Sequence, residues 1–304
     1  MLYVEYLYFP YFKQKTYKIN IIKIGYINNR TIKHKHKNII ANKEQNKKGR
    51  IIMRFENKVL VITGASSGVG RAASVMAAKE GAKVYAVARR EERLLSLDEE
   101  VKSLGCKGEI VPVTCDVSKK EDVERLFEKV KSENAKLDVL IANAGVMDKF
   151  EPITHCTEEN LNWVFDINVK GTFRLFKGAI PLMKDGGAIV ATTSIAGIRG
   201  GKAGVAYTMS KSAIHGLVRN TAAMYANDKI RCNAVAPGGI ATEIMENFAD
   251  VDEKGMEVVM RGPKLDKMVA TAEEIASNLL FLASDQASNI TGQILVSDGG
   301  LTNM

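Results

Sequence analysis

The chain has 304 residues, 46% of them apolar and 26% charged, the make-up of one α/β domain with something extra. Its formal charge of +8 is unevenly spread: residues 1–52 hold twelve Lys/Arg and two Glu, a net of +10, which leaves −2 for residues 53–304. The body is near neutral, which argues against nucleic acid as a partner, and no run of about eighteen apolar residues is present to cross a membrane.

Residues 1–52 are built from Ile, Lys, Asn, Tyr and Phe, with six of the nine tyrosines and no stable period. One reading is a basic disordered or targeting arm. The preferred reading is a non-native extension, because these are the residue types that AT-rich DNA encodes. Lys47-Lys48-Gly49-Arg50 fits purine-only codons resembling a ribosome-binding sequence, two codons before Met53, which is then the expected start. Leu2 to Phe12 is interrupted by Glu5 and Pro10 and lacks the marks of a signal peptide.

From Phe55 the pattern becomes strand–helix alternation. Val59 to Ile62 is a continuous apolar run of the kind a buried parallel strand needs. A Gly/Ser turn, Thr63 to Gly70, leads into a helix from Arg71 to Glu80, closed by Gly81. Lys83 to Ala88 is a second strand, Glu91 to Ser103 an amphipathic helix, and Ile110 to Thr114 a third strand ending at Asp116. A helix over Lys119 to Glu133 and a strand over Leu137 to Ala142 follow. Glu158 to Met183 is one long helical stretch, and Ala188 to Ala191 a strand ending near Thr192-Thr193. The glycine-rich segment Gly197 to Gly204 is a loop, and the next helix carries Tyr207. Ile230 to Ala236 is a strand stopped by Pro237-Gly238, residues 240–268 are irregular and helix-prone, Ala272 to Ala283 is a helix, and Gln293 to Ser297 a final strand. These β-α units predict a doubly wound, mostly parallel seven-stranded sheet with helices on both faces, and one domain over residues 53–304.

Cys106, Cys115, Cys156 and Cys232 are scattered, without C-x-x-C or histidines at ligand spacing, so no metal is expected. Reduced thiols in a cytoplasmic protein are the expected case. His155 and His215 are expected to be satisfied structural histidines.

Two stretches carry chemistry. The turn after the first strand has glycines at Gly64, Gly68 and Gly70; a glycine-rich turn there lets backbone N–H groups approach a pyrophosphate at a helix N-terminus. Tyr207 and Lys211 are four residues apart and share a helix face, where an ammonium favours the phenolate and is expected to pull the tyrosine pKa down from about 10. Ser194, at a strand's carboxyl end, supplies a hydroxyl facing that pair. Together the three side chains are suited to gripping and protonating a carbonyl oxygen. A tyrosine four residues before a lysine is by itself more readily read as a surface pair; the surrounding motifs decide.

Thr63-Gly64-Ala65-Ser66-Ser67-Gly68-Val69-Gly70, Asn143-Ala144-Gly145, Asn168, Ser194, Tyr207-x-x-x-Lys211 and Pro237-Gly238 occur in that order. The set resembles the short-chain dehydrogenase/reductase family in its compact single-domain form, over about residues 55–300. The resemblance implies a Rossmann-like fold and hydride transfer between a nicotinamide cofactor and a ketone or secondary alcohol. It implies Tyr207 as general acid or base and Lys211 as the group that lowers the tyrosine pKa and holds the nicotinamide ribose. Ser194 would then hold the substrate carbonyl, and Asn168 a proton-relaying water. It implies cofactor contacts from Gly64, Ser66, Ser67, Gly68, Val69 and Gly70, from Asp116 and Val117 beside the adenine, and from Asn143, Ala144 and Gly145. Pro237, Gly238, Ile240 and Thr242 would lie at the nicotinamide end. Ala142 departs mildly from the family, which often has a second Asn there.

Where a site preferring NAD puts an acid at the end of the second strand, this chain has Ala88 followed by Arg89 and Arg90. The expectation is NADP(H) through Arg89, with NAD(H) as the alternative. Arg89 and Arg90 merely opening a solvated helix is the plainer reading. Residues 240–268 would form the variable substrate loop, with Ile244, Met245, Phe248, Met256, Val258, Val259, Met260 and Met268 either as a deformable apolar cover or, equally well, simply packing the loop onto the body. Val146, Met147 and Ile195 would add wall. A bulky apolar substrate is expected, a 3-oxoacyl thioester on a carrier or a hydroxysteroid such as a bile acid, with smaller ketones or sugars as the remaining candidates. Arg199 and Lys202 are candidates for an anionic tail or an acidic carrier. The resemblance also implies a homo-oligomer, tetramer or dimer, through the Glu158 and Tyr207 helices. The rival class is a non-catalytic dinucleotide sensor or scaffold on the same fold, against which the intact Asn168, Ser194, Tyr207 and Lys211 argue.

Overall fold

A computed structural model describes residues 53–241, 243, 251–261 and 269–304. The expectations for residues 1–52, and those for Thr242, Ile244, Met245, Phe248 and Met268, lie outside the described residues.

Seven strands form one sheet. They are β1 (Val59–Thr63), β2 (Lys83–Ala88), β3 (Glu109–Thr114), β4 (Val139–Ala142), β5 (Gly187–Thr192), β6 (Ile230–Pro237) and, near the C-terminus, β9 (Ile294–Ser297). Their order is β3-β2-β1-β4-β5-β6-β9, and every pairing is parallel. The sequence expectation of seven strands and a doubly wound sheet holds. Two residues each from β7 (Gly239–Ile240) and β8 (Val269–Ala270) pair in parallel beside it.

The reason β1 reads as an unbroken apolar run is visible in how its side chains divide. Leu60 and Ile62 enter the core on one face of the sheet, Val59 and Val61 the core on the other. On the first face lie α1 (Gly68–Lys79), α2 (Glu91–Ser103) and α8 (Ala272–Ala283), contributing Ala73, Leu94, Leu97 and Leu279. On the second lie α3 (Lys120–Asn134), α4 (Glu158–Phe165), α5 (Thr172–Ala179) and α6 (Val205–Met224), with Phe127, Phe176, Ile214 and Val218 among the buried residues. α8 starts in a reciprocal cap: Thr271 Oγ1 accepts the Glu274 N–H at 3.3 Å while the Glu274 carboxylate accepts the Thr271 N–H at 3.0 Å.

The long helical stretch expected over residues 158–183 is four consecutive pieces. Between α4 and α5, Asp166–Gly171 forms a π-helical turn, and Ile180–Leu182 ends the stretch as a 3₁₀ turn. The wide turn makes room for the buried Asn168 side chain, which is tied to the backbone of Val146 in another segment. In the segment expected to be irregular, α7 (Glu253–Met260) is a helix, its N-terminus capped by Asp252, which accepts the Gly255 N–H at 2.8 Å. Among the described residues no helix is long and apolar enough to cross a membrane, and no cluster of metal-ligating side chains occurs.

Candidate active site

The sequence-predicted residues converge at the carboxyl ends of the strands, the end at which open parallel sheets bind ligands. Thr63 closes β1, and its Oγ1 accepts the N–H groups of Asn143 and Ala144, each at 3.0 Å, just after β4. Asn143 donates back to the Thr63 carbonyl at 3.1 Å and accepts from the Thr192 hydroxyl at 3.0 Å. One amide thereby braces the ends of β1, β4 and β5, and the first of these bonds needs Thr63, which sequence reasoning passed over.

The turn from β1 to α1 is shaped for a close approach. Gly64 has φ +70°, a conformation L side chains rarely adopt, and a Cβ there would sit 2.7 Å from Asn143 Nδ2. Ser67 caps α1 without a side-chain hydrogen bond, and the first turn contains no acid. Its N–H groups therefore carry no internal anion, which fits a pyrophosphate. Asp116 and Val117 follow β3. Burial alone would raise the Asp116 carboxyl, but hydrogen bonds from Ser118 and the nearby Arg89 charge hold it below its ordinary value. Pro237 ends β6, Gly238 donates to the Ser297 carbonyl at 3.1 Å, and Ile240 lies half-buried in β7.

Tyr207 and Lys211 are in the first two turns of α6, and Ser194 caps the 3₁₀ turn after β5, accepting the Ala196 N–H at 3.1 Å. The Ser194 side chain is near enough to the Tyr207 phenol to act on its pKa. The Lys211 ammonium lies 5.3 Å from the centre of the Tyr207 ring, within cation–π range, and donates to the Thr192 carbonyl at 3.1 Å. Asn168 is fully buried: its Oδ1 accepts the Val146 N–H at 2.8 Å, and its Nδ2 donates to the Val146 carbonyl at 2.9 Å and to Ser210 Oγ at 3.1 Å. Gly145 joins the two groups, since a Cβ on it would lie 3.1 Å from Asn168 Oδ1 and 3.4 Å from Lys211 Nζ.

The electrostatics differ from the sequence expectation. In the protein alone, burial pushes the Tyr207 phenol up to about 12; the Ser194 side chain pulls the other way, and the Asp148 charge adds to the rise. Burial also pulls the Lys211 ammonium down to about 8. Desolvation sets both directions: Lys211 is buried and Tyr207 half-buried. The phenol keeps its proton at neutrality, the state needed to donate one.

Asp148 was not singled out from the sequence. It is buried, and it accepts the N–H groups of Phe150 (3.0 Å) and Gly204 (3.1 Å) at Oδ1 and of Tyr207 (2.8 Å) at Oδ2. Those last two donors belong to the start of α6, so this carboxylate anchors the turn that carries the tyrosine. Burial raises its own pKa despite the three bonds. A lone aspartate in a loop offers no spacing signal, and only the fold brings it to the helix.

Arg89, read as the cofactor cation, is exposed and sits near Asp116. It is Arg90 that turns toward the phosphate loop, donating from Nη2 to Ser66 Oγ at 2.9 Å and Ser67 Oγ at 3.0 Å. Arg199 is exposed and donates to the Thr302 carbonyl at 2.7 Å. His155 bonds Asp252 at 2.6 Å through Nδ1, whereas His215 is buried with no partner for Nε2 among the described residues. Burial depresses the His215 pKa, so that ring is neutral.

A hollow of about 260 Å³ adjoins the start of α6, lined in part by Phe150, Val205 and Thr208, with Val258 of α7 across it. A larger one, about 340 Å³, lies among Lys58, Lys136, Lys184 and Lys229 at the amino ends of the strands, the wrong end for this chemistry.

Comparison with known proteins gives a consistent result. Residues 64–302 match the family described as Enoyl-(Acyl carrier protein) reductase. The chain is 38% identical over 272 residues to a 3beta-hydroxysteroid dehydrogenase of Mediterraneibacter gnavus, covering 84% of this chain and 98% of that protein. It is 36% identical over 251 residues to the 3-oxoacyl-(acyl-carrier-protein) reductase FabG of Thermotoga maritima, covering 82% and 99%. Among solved structures, a short-chain type dehydrogenase/reductase from Mycobacterium marinum superposes with a TM-score of 0.74 at 31% identity, covering 83% of this chain and 98% of that one.

Proposed function

The chain belongs to the short-chain dehydrogenase/reductase family, and from that membership we propose that it interconverts a ketone and a secondary alcohol on a bulky apolar substrate, with Tyr207 as proton carrier and NADP(H) as the preferred cofactor. Family membership makes it an NAD(P)-dependent oxidoreductase. The observation that carries the finer reading is the buried Lys211 ammonium 5.3 Å from the centre of the Tyr207 ring, with the Ser194 side chain near enough to the phenol to act on its pKa.

The bound nicotinamide supplies or accepts the hydride. In reduction, Tyr207 gives its proton to the ketone oxygen while the Ser194 hydroxyl hydrogen-bonds that same oxygen and stabilises its developing charge. Lys211, beside Asn168 across Gly145, faces the phenol and is the group through which the proton is replaced. In oxidation Tyr207 is the base, at a cost set by its raised pKa. The turn Gly64 to Gly70 with the start of α1 would hold the pyrophosphate, Asp116 and Val117 the adenine, Asn143 to Gly145 the ribose side, and Pro237 to Thr242 the nicotinamide amide.

Arg90, held over Ser66 and Ser67, supports NADP(H) rather than NAD(H), since a guanidinium at the end of β2 matches a 2′-phosphate and no acid stands there to receive ribose hydroxyls. The hollow between α6 and α7, walled by Phe150, Val205 and Val258, supports an apolar substrate. A 3-oxoacyl thioester is the first candidate. A hydroxysteroid is the second, favoured by the likeness to the Mediterraneibacter gnavus protein. Four unpaired cysteines support a reducing, cytoplasmic setting, and the exposed Trp163, Phe173, Met209 and Met224 on α4–α6 support a homo-oligomer.

NADPH oxidation over a panel of 3-oxoacyl thioesters, 3-ketosteroids and small ketones tests the proposal. Activity on at least one bulky ketone should fall by about 10²–10⁴ in Tyr207→Phe. No turnover with either nicotinamide, or a Tyr207→Phe protein as active as the wild type, would overturn it.

A further inference from the structure

Arg90 has a second engagement that the cofactor reading leaves unexplained. Its Nη1 reaches Glu243 Oε2 at 3.1 Å, and the other Glu243 oxygen bonds Arg93 of α2. Glu243 is distant in sequence, on the far side of the Pro237-Gly238 turn, so the fold has carried a carboxylate across to the adenosine side of the cleft. The result is a compact cluster: two guanidinium groups, the Ser66 and Ser67 hydroxyls, and one carboxylate spanning both cations. The donors gathered here, two guanidinium forks and two hydroxyls, are those that recognise a phosphate monoester. The bound acid, however, is the protein's own.

We infer that Glu243 is an internal stand-in for the cofactor 2′-phosphate and thereby limits how strongly the protein favours NADP(H) over NAD(H). The inference rests on the reading of Arg90 as the 2′-phosphate ligand. A phosphate at Arg90 must either displace Glu243 or accept a second anion alongside it, and both weaken binding of the phosphorylated cofactor. A cofactor with a free 2′-hydroxyl carries no charge there and is indifferent to the competition. The cluster is partly open, with Arg90 and Glu243 side chains about two-fifths exposed (41% and 40%), so the effect is one of tuning and is screened by salt.

The test is binding without turnover. Dissociation constants for NADPH, NADH, 2′,5′-ADP and 5′-AMP are measured by fluorescence and calorimetry for wild type, Glu243→Gln, Arg90→Ala and the double variant, at low and moderate salt. The Gln side chain keeps the size and loses the charge. Expected is about a three- to tenfold gain in affinity for NADPH and 2′,5′-ADP in Glu243→Gln, with NADH and 5′-AMP unmoved, no gain once Arg90 is gone, and a smaller gain at higher salt. If Arg90→Ala erases the preference for the phosphorylated ligands while Glu243→Gln leaves them unchanged or weaker, the inference about Glu243 is overturned and the Arg90 reading stands. If the wild type binds 2′,5′-ADP no better than 5′-AMP, or Arg90→Ala makes no difference, the Arg90 reading fails and takes this inference with it.

Discussion

Replacing Lys211 by methionine should inactivate the protein and stabilise it. The side chain is 4% exposed, and burial takes its pKa from 10.5 to about 8, a difference that corresponds to roughly 3 kcal/mol of penalty for keeping the ammonium charged in the folded state. Methionine removes that penalty with little change of volume but forfeits the hydrogen bond to the Thr192 carbonyl, about 1–2 kcal/mol. The net gain is about 1–2 kcal/mol at pH 7, or a rise in Tm of roughly 2–8 °C for a body of this size. The pH dependence identifies the cause. Below pH 8 folded and unfolded lysine are both protonated and the penalty is full. Between pH 8 and 10.5 the unfolded state binds more protons, so the wild type gains stability as pH rises and the gap to the variant closes. The other titrating groups are common to both proteins, and His215, whose pKa the Lys211 charge helps to lower from 6.5, titrates below this window. Thermal unfolding of both proteins at pH 6, 7, 8, 9 and 10 reads this directly. A Lys211→Met protein less stable than wild type at pH 7, or a gap that stays constant from pH 8 to 10, would show that the buried ammonium carries no such penalty.

Three other expectations follow from the same site. Asp148→Asn keeps an oxygen for Phe150 and Gly204 but sets an amide against the Tyr207 N–H; it should cost about 1–3 kcal/mol in urea unfolding, and by removing a charge near the phenol it should move the alkaline limb of the pH profile to lower pH. Alcohol oxidation should climb with pH well above 8, toward the phenol value of about 12, while ketone reduction stays flat across neutrality, as read from initial rates in both directions. Gly145→Ala places a methyl 3.1 Å from Asn168 Oδ1 and 3.4 Å from Lys211 Nζ, so kcat should drop about tenfold or more while the Tm, followed by circular dichroism, moves by only a few degrees.

The body of the fold was legible because its determinants are local and repetitive. A strand buried on both faces cannot alternate, and Val59 to Ile62 does not; an amphipathic helix must show its stripe, and Leu94, Leu97 and Val101 show it. The Ser194, Tyr207 and Lys211 arrangement was legible for a related reason, since four residues on a helix fix two side chains on one face. The remainder depended on distance in three dimensions. Arg89 and Arg90 are neighbours in the chain, and which of them meets the phosphate loop depends on how α2 leaves β2. Glu243 lies about 150 residues beyond Arg90, and Asp148 almost 60 before Tyr207, so no local pattern joins either pair. The direction of the Tyr207 pKa was misjudged because spacing reports that a cation is near and says nothing of how much water has been removed from both groups.

The π-helical turn at Asp166–Gly171 holds one residue more than an α-helix needs over the same angular advance. Taking one residue out would let the turn relax to an α-helix, and because a π turn advances by only about 80° per residue against about 100° in an α-helix, Leu175 and Phe176 would keep their places in the core. What would go is the widened turn that seats the buried Asn168 amide against the Val146 backbone. A protein shortened by one residue here should still fold, as read by circular dichroism, and turn over poorly: the surplus residue serves the site and not the scaffold.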